Sequence, residues 1–81
     1  MMTMTNHSEQ EDLKKRERIQ KHFWDEVGAV EHISLPELEN AVKREFKCTD
    51  HRSIKTQIEL MQTEARIRIE SRVKVWIKMP H

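Results

Sequence analysis

Apolar residues recur every three or four positions over most of this chain and every second position near its end. In "EQEDLKKRERIQKHFWDEVGAV", Ile19, Phe23, Val27 and Val30 keep helical spacing and predict a first helix with one buried stripe. Ser8 and Glu11 form a capping box, with Ser8 as N-cap and Glu11 reaching back to it. The stretch "MMTMTNH" has no period, so residues 1–7 are expected to be a disordered tail and residues 8–79 one folded domain. Gly28 weakens the last turn and helps end the helix. "VEHI" is short and β-branched at both ends, which predicts a brief strand around His32 and Ile33.

A second helix follows in "SLPELENAVKREF". Ser34 and Glu37 make another capping box, and Pro36 sits in the first turn, where its missing N–H costs nothing. Leu35, Leu38, Ala41, Val42 and Phe46 supply the apolar face. Asp50 or Thr49 can cap a third helix, "HRSIKTQIELMQTEA", with Ile54, Ile58, Met61 and Ala65 as its inward stripe. Its opposite side carries Arg52, Lys55, Thr56, Glu59 and Thr63, with Leu60 between the two faces.

The alternation in "RIRIESRVKVWIK" predicts a β-hairpin. Ile67, Ile69, Val73, Val75 and Ile77 take one face, and Arg66, Arg68, Lys74, Trp76 and Lys78 the other. Cross-strand partners share a face, so the number of loop residues has to be odd. Loop Ser71-Arg72-Val73 would pair Glu70 with Lys74, but it places a β-branched residue where a left-handed conformation is common. Loop Glu70-Ser71-Arg72 avoids this and buries Val73 against Ile69, and is the expected one. Trp76 is placed to stack on Arg66 or Arg68, or to tuck against the first helix.

Composition refines this picture. Eighty-one residues make one domain near the size at which a single core becomes marginal. One Gly and abundant charge of both signs suit helices laced with ion pairs, and lean toward a hot-growing source. The net charge is only +1, yet residues 50–81 hold seven Lys/Arg against four Asp/Glu, while residues 1–33 hold five against seven. A basic C-terminal part points to nucleic acid or another anionic surface. The single cysteine, Cys48, cannot close an internal disulfide, and no apolar run reaches membrane-span length, so the expected compartment is the cytoplasm. A bond between two chains through Cys48 stays open.

In its order of elements, and in "SLPELENAVKREFKCTDHRSIKTQIELM" followed by "RIRIESRVKVWIK", the chain resembles the winged helix-turn-helix family of DNA-binding domains. Ala41 stands at the mid-helix place where that family favours a small residue. The turn between the second and third helices carries Cys48 and Thr49 where family members commonly have Gly. Small size and charge-rich helices resemble most nearly the minimal members encoded by viruses and plasmids of hot-acid archaea. The resemblance implies an α+β fold of three helices with a C-terminal hairpin wing, and a transcriptional regulator of double-stranded DNA. It would set the third helix in the major groove, with Arg52, Lys55, Thr56 and Glu59 reading bases. His51 and Ser53 would meet phosphate near the helix start, and Arg68, Ser71, Arg72 and Lys74 would place the wing on the backbone or in the minor groove.

Other chemistry is weakly represented. Cys48-x-x-His51 has a metal-like spacing, but two ligands do not close a zinc site, and His22 or His32 would join only by accident of folding. There is no Gly-rich phosphate loop and no paired-carboxylate motif, so neither an enzyme nor a cofactor is expected. Leu13 and Trp24 leave the first helix on a side away from the Ile19–Phe23–Val27 stripe, which places them at the edge of the core or at a homodimer interface. An alternative function is a protein-interaction adaptor without DNA binding, for which the third helix would present apolar residues outward.

Overall fold

The computed structural model describes residues 3–80, with side chains from Gln10 onward. The elements run α1 (Thr3–Val27), α2 (Leu35–Phe46), α3 (His51–Thr63), β1 (Ile67–Ser71) and β2 (Lys74–Ile77). This is the expected α+β layout, three helices followed by a two-stranded antiparallel hairpin, and it is consistent with a winged helix.

Helix α1 begins at Thr3, so residues 3–7 of the expected tail are helical and Ser8 lies inside the helix instead of capping it. Residues 1 and 2 fall outside the described residues, as does the Ser8 side chain. At the other end Gly28 takes φ +59 and donates its N–H to the Trp24 carbonyl, stopping the helix as its sequence position implies. That stop removes Val30 from the stripe: it is 85 % exposed, because the chain has already turned away from the helical path.

The two other N-termini form as read. Ser34 accepts from the Glu37 N–H while Glu37 accepts from the Ser34 N–H, a complete capping box, and Asp50 caps α3 through the Ser53 N–H. The turn into α3 is made without Gly. Lys47 adopts the left-handed conformation (φ 54, ψ 43) and its N–H returns to the Lys43 carbonyl. Ala65 does the same after α3, at φ 59, so it leaves the inward stripe and is exposed. A left-handed non-Gly residue carries a cost of about 1–2 kcal/mol. Replacing Ala65 by Gly is therefore expected to raise unfolding stability by roughly 0.5–1 kcal/mol in a urea titration, part of the gain being offset by the freer unfolded chain.

The core gathers one face from every element. Leu38 and Val42 of α2, Met61 of α3 and Val75 of β2 are fully enclosed, with Ile19, Phe23, Ile54, Ile58, Ile67 and Ile77 around them. Each such side chain stabilises the fold by about 1.5–3 kcal/mol. Ile33 forms a one-residue bridge with Val75, exchanging both backbone hydrogen bonds at 2.9 and 2.8 Å. The short strand expected near His32 and Ile33 is thus reduced to that single bridge, which leaves Val75 flanked by Ile69 on one side and Ile33 on the other.

The hairpin register differs from the expected one. Ile67 pairs with Ile77, Arg68 with Trp76 and Ile69 with Val75, and the ladder then shifts so that Ser71 pairs with Lys74. The requirement for an odd loop assumed unbroken alternation, and a bulge at Glu70 supplies the extra residue. The strand closes on the two-residue turn Arg72-Val73, with neither residue at positive φ, and Val73 is 65 % exposed instead of covering Ile69. Freed from pairing, Glu70 accepts the Trp76 Nε1–H at 2.9 Å, and the indole meets the His32 ring edge-on at 5.3 Å in place of a stack on Arg66 or Arg68.

Candidate nucleic-acid interface

Helix α3 turns its apolar residues inward at positions 54, 58 and 61, and the 100° step per residue fixes what faces out. Arg52, Thr56, Glu59 and Thr63 fall on the arc most distant from the core, with Lys55 beside them toward the hairpin. All five are exposed, and no other part of the described chain covers them. Neither Arg52 nor Lys55 has an ion-pair partner among the described residues, so both cations are available to an external anion or base edge. Thr63 is engaged, donating its hydroxyl to the Glu59 carbonyl at 3.0 Å.

The helix start is a less open anion site than its sequence implies. Asp50 accepts from the Ser53 N–H at 3.3 Å and from the Ser53 hydroxyl at 3.2 Å. Its carboxylate occupies the donors a phosphate would use, so the role expected of Ser53 requires that cap to open. His51 remains exposed beside it.

In the hairpin, Arg68, Ser71, Arg72 and Lys74 are all exposed. Arg72, in the turn, and Lys74, just after it, have no ion pair among the described residues, whereas Arg68 lies 3.8 Å from Glu70. Ser71 accepts the Val73 N–H at 3.3 Å, which leaves its hydroxyl proton free to donate outward. The turn does not float: the Arg72 carbonyl accepts the Leu35 N–H at 2.8 Å, tying the hairpin tip to the first residue of α2.

Behind this face lies a polar network the sequence reading missed. Arg16, only 7 % exposed, donates from Nε and Nη2 to the two carboxylate oxygens of Glu64 at 3.0 and 2.7 Å, and from Nη1 to Gln57 at 2.8 Å. Arg66 donates to Glu64 at 2.7 Å and to Gln20 at 2.9 Å, and Gln20, 2 % exposed, donates on to the Lys78 carbonyl. Partial burial pushes the Glu64 carboxyl up, but the hydrogen bonds and charges of Arg16 and Arg66 outweigh it and hold the group below its ordinary value. One signal was available: Arg16, Gln20, Phe23 and Val27 repeat at helical spacing, so the polar pair shares the buried side of α1.

Of the two residues expected at an edge or interface, Trp24 is half-buried against the core and Leu13 is half-buried three turns away on the same side of α1. Cys48 is half-buried, and among the described residues no group of three His, Cys, Asp or Glu side chains could hold a metal ion. No helix among the described residues is long and apolar enough to cross a membrane. No protein-family model, no curated protein and no solved structure matches the chain.

Proposed function

We propose that the chain is a sequence-specific, double-stranded-DNA-binding transcriptional regulator of the cytoplasm, with α3 in the major groove and the hairpin as its wing. The observation that carries this reading is the uncovered polar face of α3, where Arg52 and Lys55 have no ion pair among the described residues. The same small body holds a hairpin turn that carries Arg72 and is followed by Lys74, likewise without ion pairs among the described residues. A helix is about 10–12 Å across and the major groove about 12 Å wide, so the face can approach base edges. Arg52 and Lys55 suit guanine, and Glu59 suits the amino group of cytosine. Arg68, Arg72 and Lys74 neutralise phosphate and fix the orientation of the domain. A homodimer through the Leu13–Trp24 side of α1 would match a two-fold operator, and a monomeric mass at micromolar concentration would remove that part.

A duplex-DNA titration across a salt series tests the reading. With about three wing cations on phosphate, log K is expected to fall against log salt with a slope of roughly −3. Absence of binding at low salt, or tight binding indifferent to salt, defeats it. A protein-interaction adaptor has less support, because every outward residue of α3 except the 36 % exposed Leu60 is polar or charged.

A further inference from the structure

On its hairpin side, α3 closes a cleft of about 260 Å³ with the start of α2 and strand β1. The floor is apolar, formed by Leu35, Ile54, Ile58 and Ile69, of which Leu35 and Ile69 are only half-buried and so remain open to a guest. Two carboxylates line it, Glu39 and Glu59, and neither has an ion pair or side-chain hydrogen bond among the described residues. The other ionisable groups there are Lys55 and His51, so with His neutral the lining carries two negative charges against one positive. The two carboxylates outnumber the one lysine of the lining, so the cleft complements a cation.

We propose that this cleft binds a small organic cation, an ammonium carried on one ring or a short hydrocarbon body. The body covers Leu35 and Ile69, and the ammonium meets the carboxylates of Glu39 and Glu59. At about 260 Å³ the cleft falls just below the roughly 300–1,000 Å³ of ordinary ligand pockets, which limits the guest to a small molecule. Lys55 and Glu59 also belong to the face assigned to DNA, so an occupied cleft competes with DNA. That regulatory consequence rests on the DNA reading, whereas binding of the cation does not.

The test is an NMR titration of the full chain, following backbone amides, with phenethylammonium, neutral 2-phenylethanol and anionic 3-phenylpropanoate as probes. Saturable shifts centred on Leu35, Ile54, Ile58 and Ile69 are expected with the cation, with the neutral probe weaker and the anion weakest. E39Q is expected to weaken the cation roughly two- to fivefold, the range for an exposed charge pair, and to leave the neutral probe unchanged. E59Q gives the same comparison should E39Q disturb the fold, and the amide spectrum itself reports folding. Absence of saturable shifts to millimolar probe, equal affinity for all three probes, or shifts centred elsewhere would overturn the proposal. In a separate arm, adding phenethylammonium to the protein–DNA complex is expected to lower DNA affinity. If the chain binds no duplex at all, the DNA reading fails while the NMR titration still decides the cleft.

Discussion

Replacing Arg16 by Leu is expected to destabilise the domain by about 3–5 kcal/mol, the cost of breaking a buried ion pair from one side. The guanidinium holds both oxygens of Glu64 and the side chain of Gln57, so its loss leaves a partly buried carboxylate with Arg66 alone and an amide oxygen without its donor. Against a total of about 5–15 kcal/mol for a small domain, that approaches global unfolding. Urea denaturation followed by far-UV circular dichroism measures it. A change below 1 kcal/mol would mean that the pair contributes no more than an exposed one. Because Arg16 and Glu64 touch directly, R16L/E64L is expected to cost less than the sum of the single variants by about 1–3 kcal/mol.

The same pair predicts an acid limit. Glu64 is held below its ordinary value of 4.5 in the folded chain. The unfolded chain therefore takes up this proton first as pH falls. Its stabilisation is fully present above the ordinary glutamate value and disappears as pH drops through the lowered one. Glu37, lowered by its hydrogen bonds from the Ser34 backbone and hydroxyl, adds in the same direction. Stability is expected to fall as pH drops below the ordinary glutamate value, and E64Q is expected to flatten that slope.

The second large effect concerns the proposed recognition face. R52A/K55A is expected to weaken binding to a specific duplex by about 2–6 kcal/mol, since each side chain properly seated on a base contributes about 1–3 kcal/mol of discrimination. Both side chains are exposed, so the folded state is expected to change by less than about 0.5 kcal/mol. Fluorescence anisotropy on a duplex recovered from a random pool measures the loss, alongside a thermal melt. R72A/K74A supplies the contrast: it is expected to weaken all duplexes alike and to reduce the salt slope by about 2. Should the two double variants behave identically, base reading by α3 is wrong even where DNA binding is real.

Much of the fold was legible because its signals are local. The Ser34–Glu37 box, the Asp50 cap, the Gly28 stop and the outward set on α3 each lie within one or two helical turns, where spacing dictates geometry. Legibility fails where residues far apart in the chain decide the outcome. The Arg16–Glu64 pair spans 48 positions, and charged letters on an amphipathic helix read as solvent-facing until a partner is seen. The hairpin failed for a different reason. Both alternating strands were correctly placed, but the bulge at Glu70 shifts parity, and nothing in "RIESRV" marks it without knowing that Ile33 must also reach Val75. Asp50 shows a third limit, since a good cap and an open phosphate site compete for the same donors.

The bond from the Leu35 amide to the Arg72 carbonyl makes the basic flap part of a clamp and not a free arm. A loosely hung loop could search a neighbouring groove by itself, paying entropy when it settled. Here the tip is already fastened to the scaffold that carries α3, so the cationic turn and the helix approach a surface together, with their spacing set in advance. A one-residue insertion after Val73 would release that fastening and trade a fixed footprint for a wandering one.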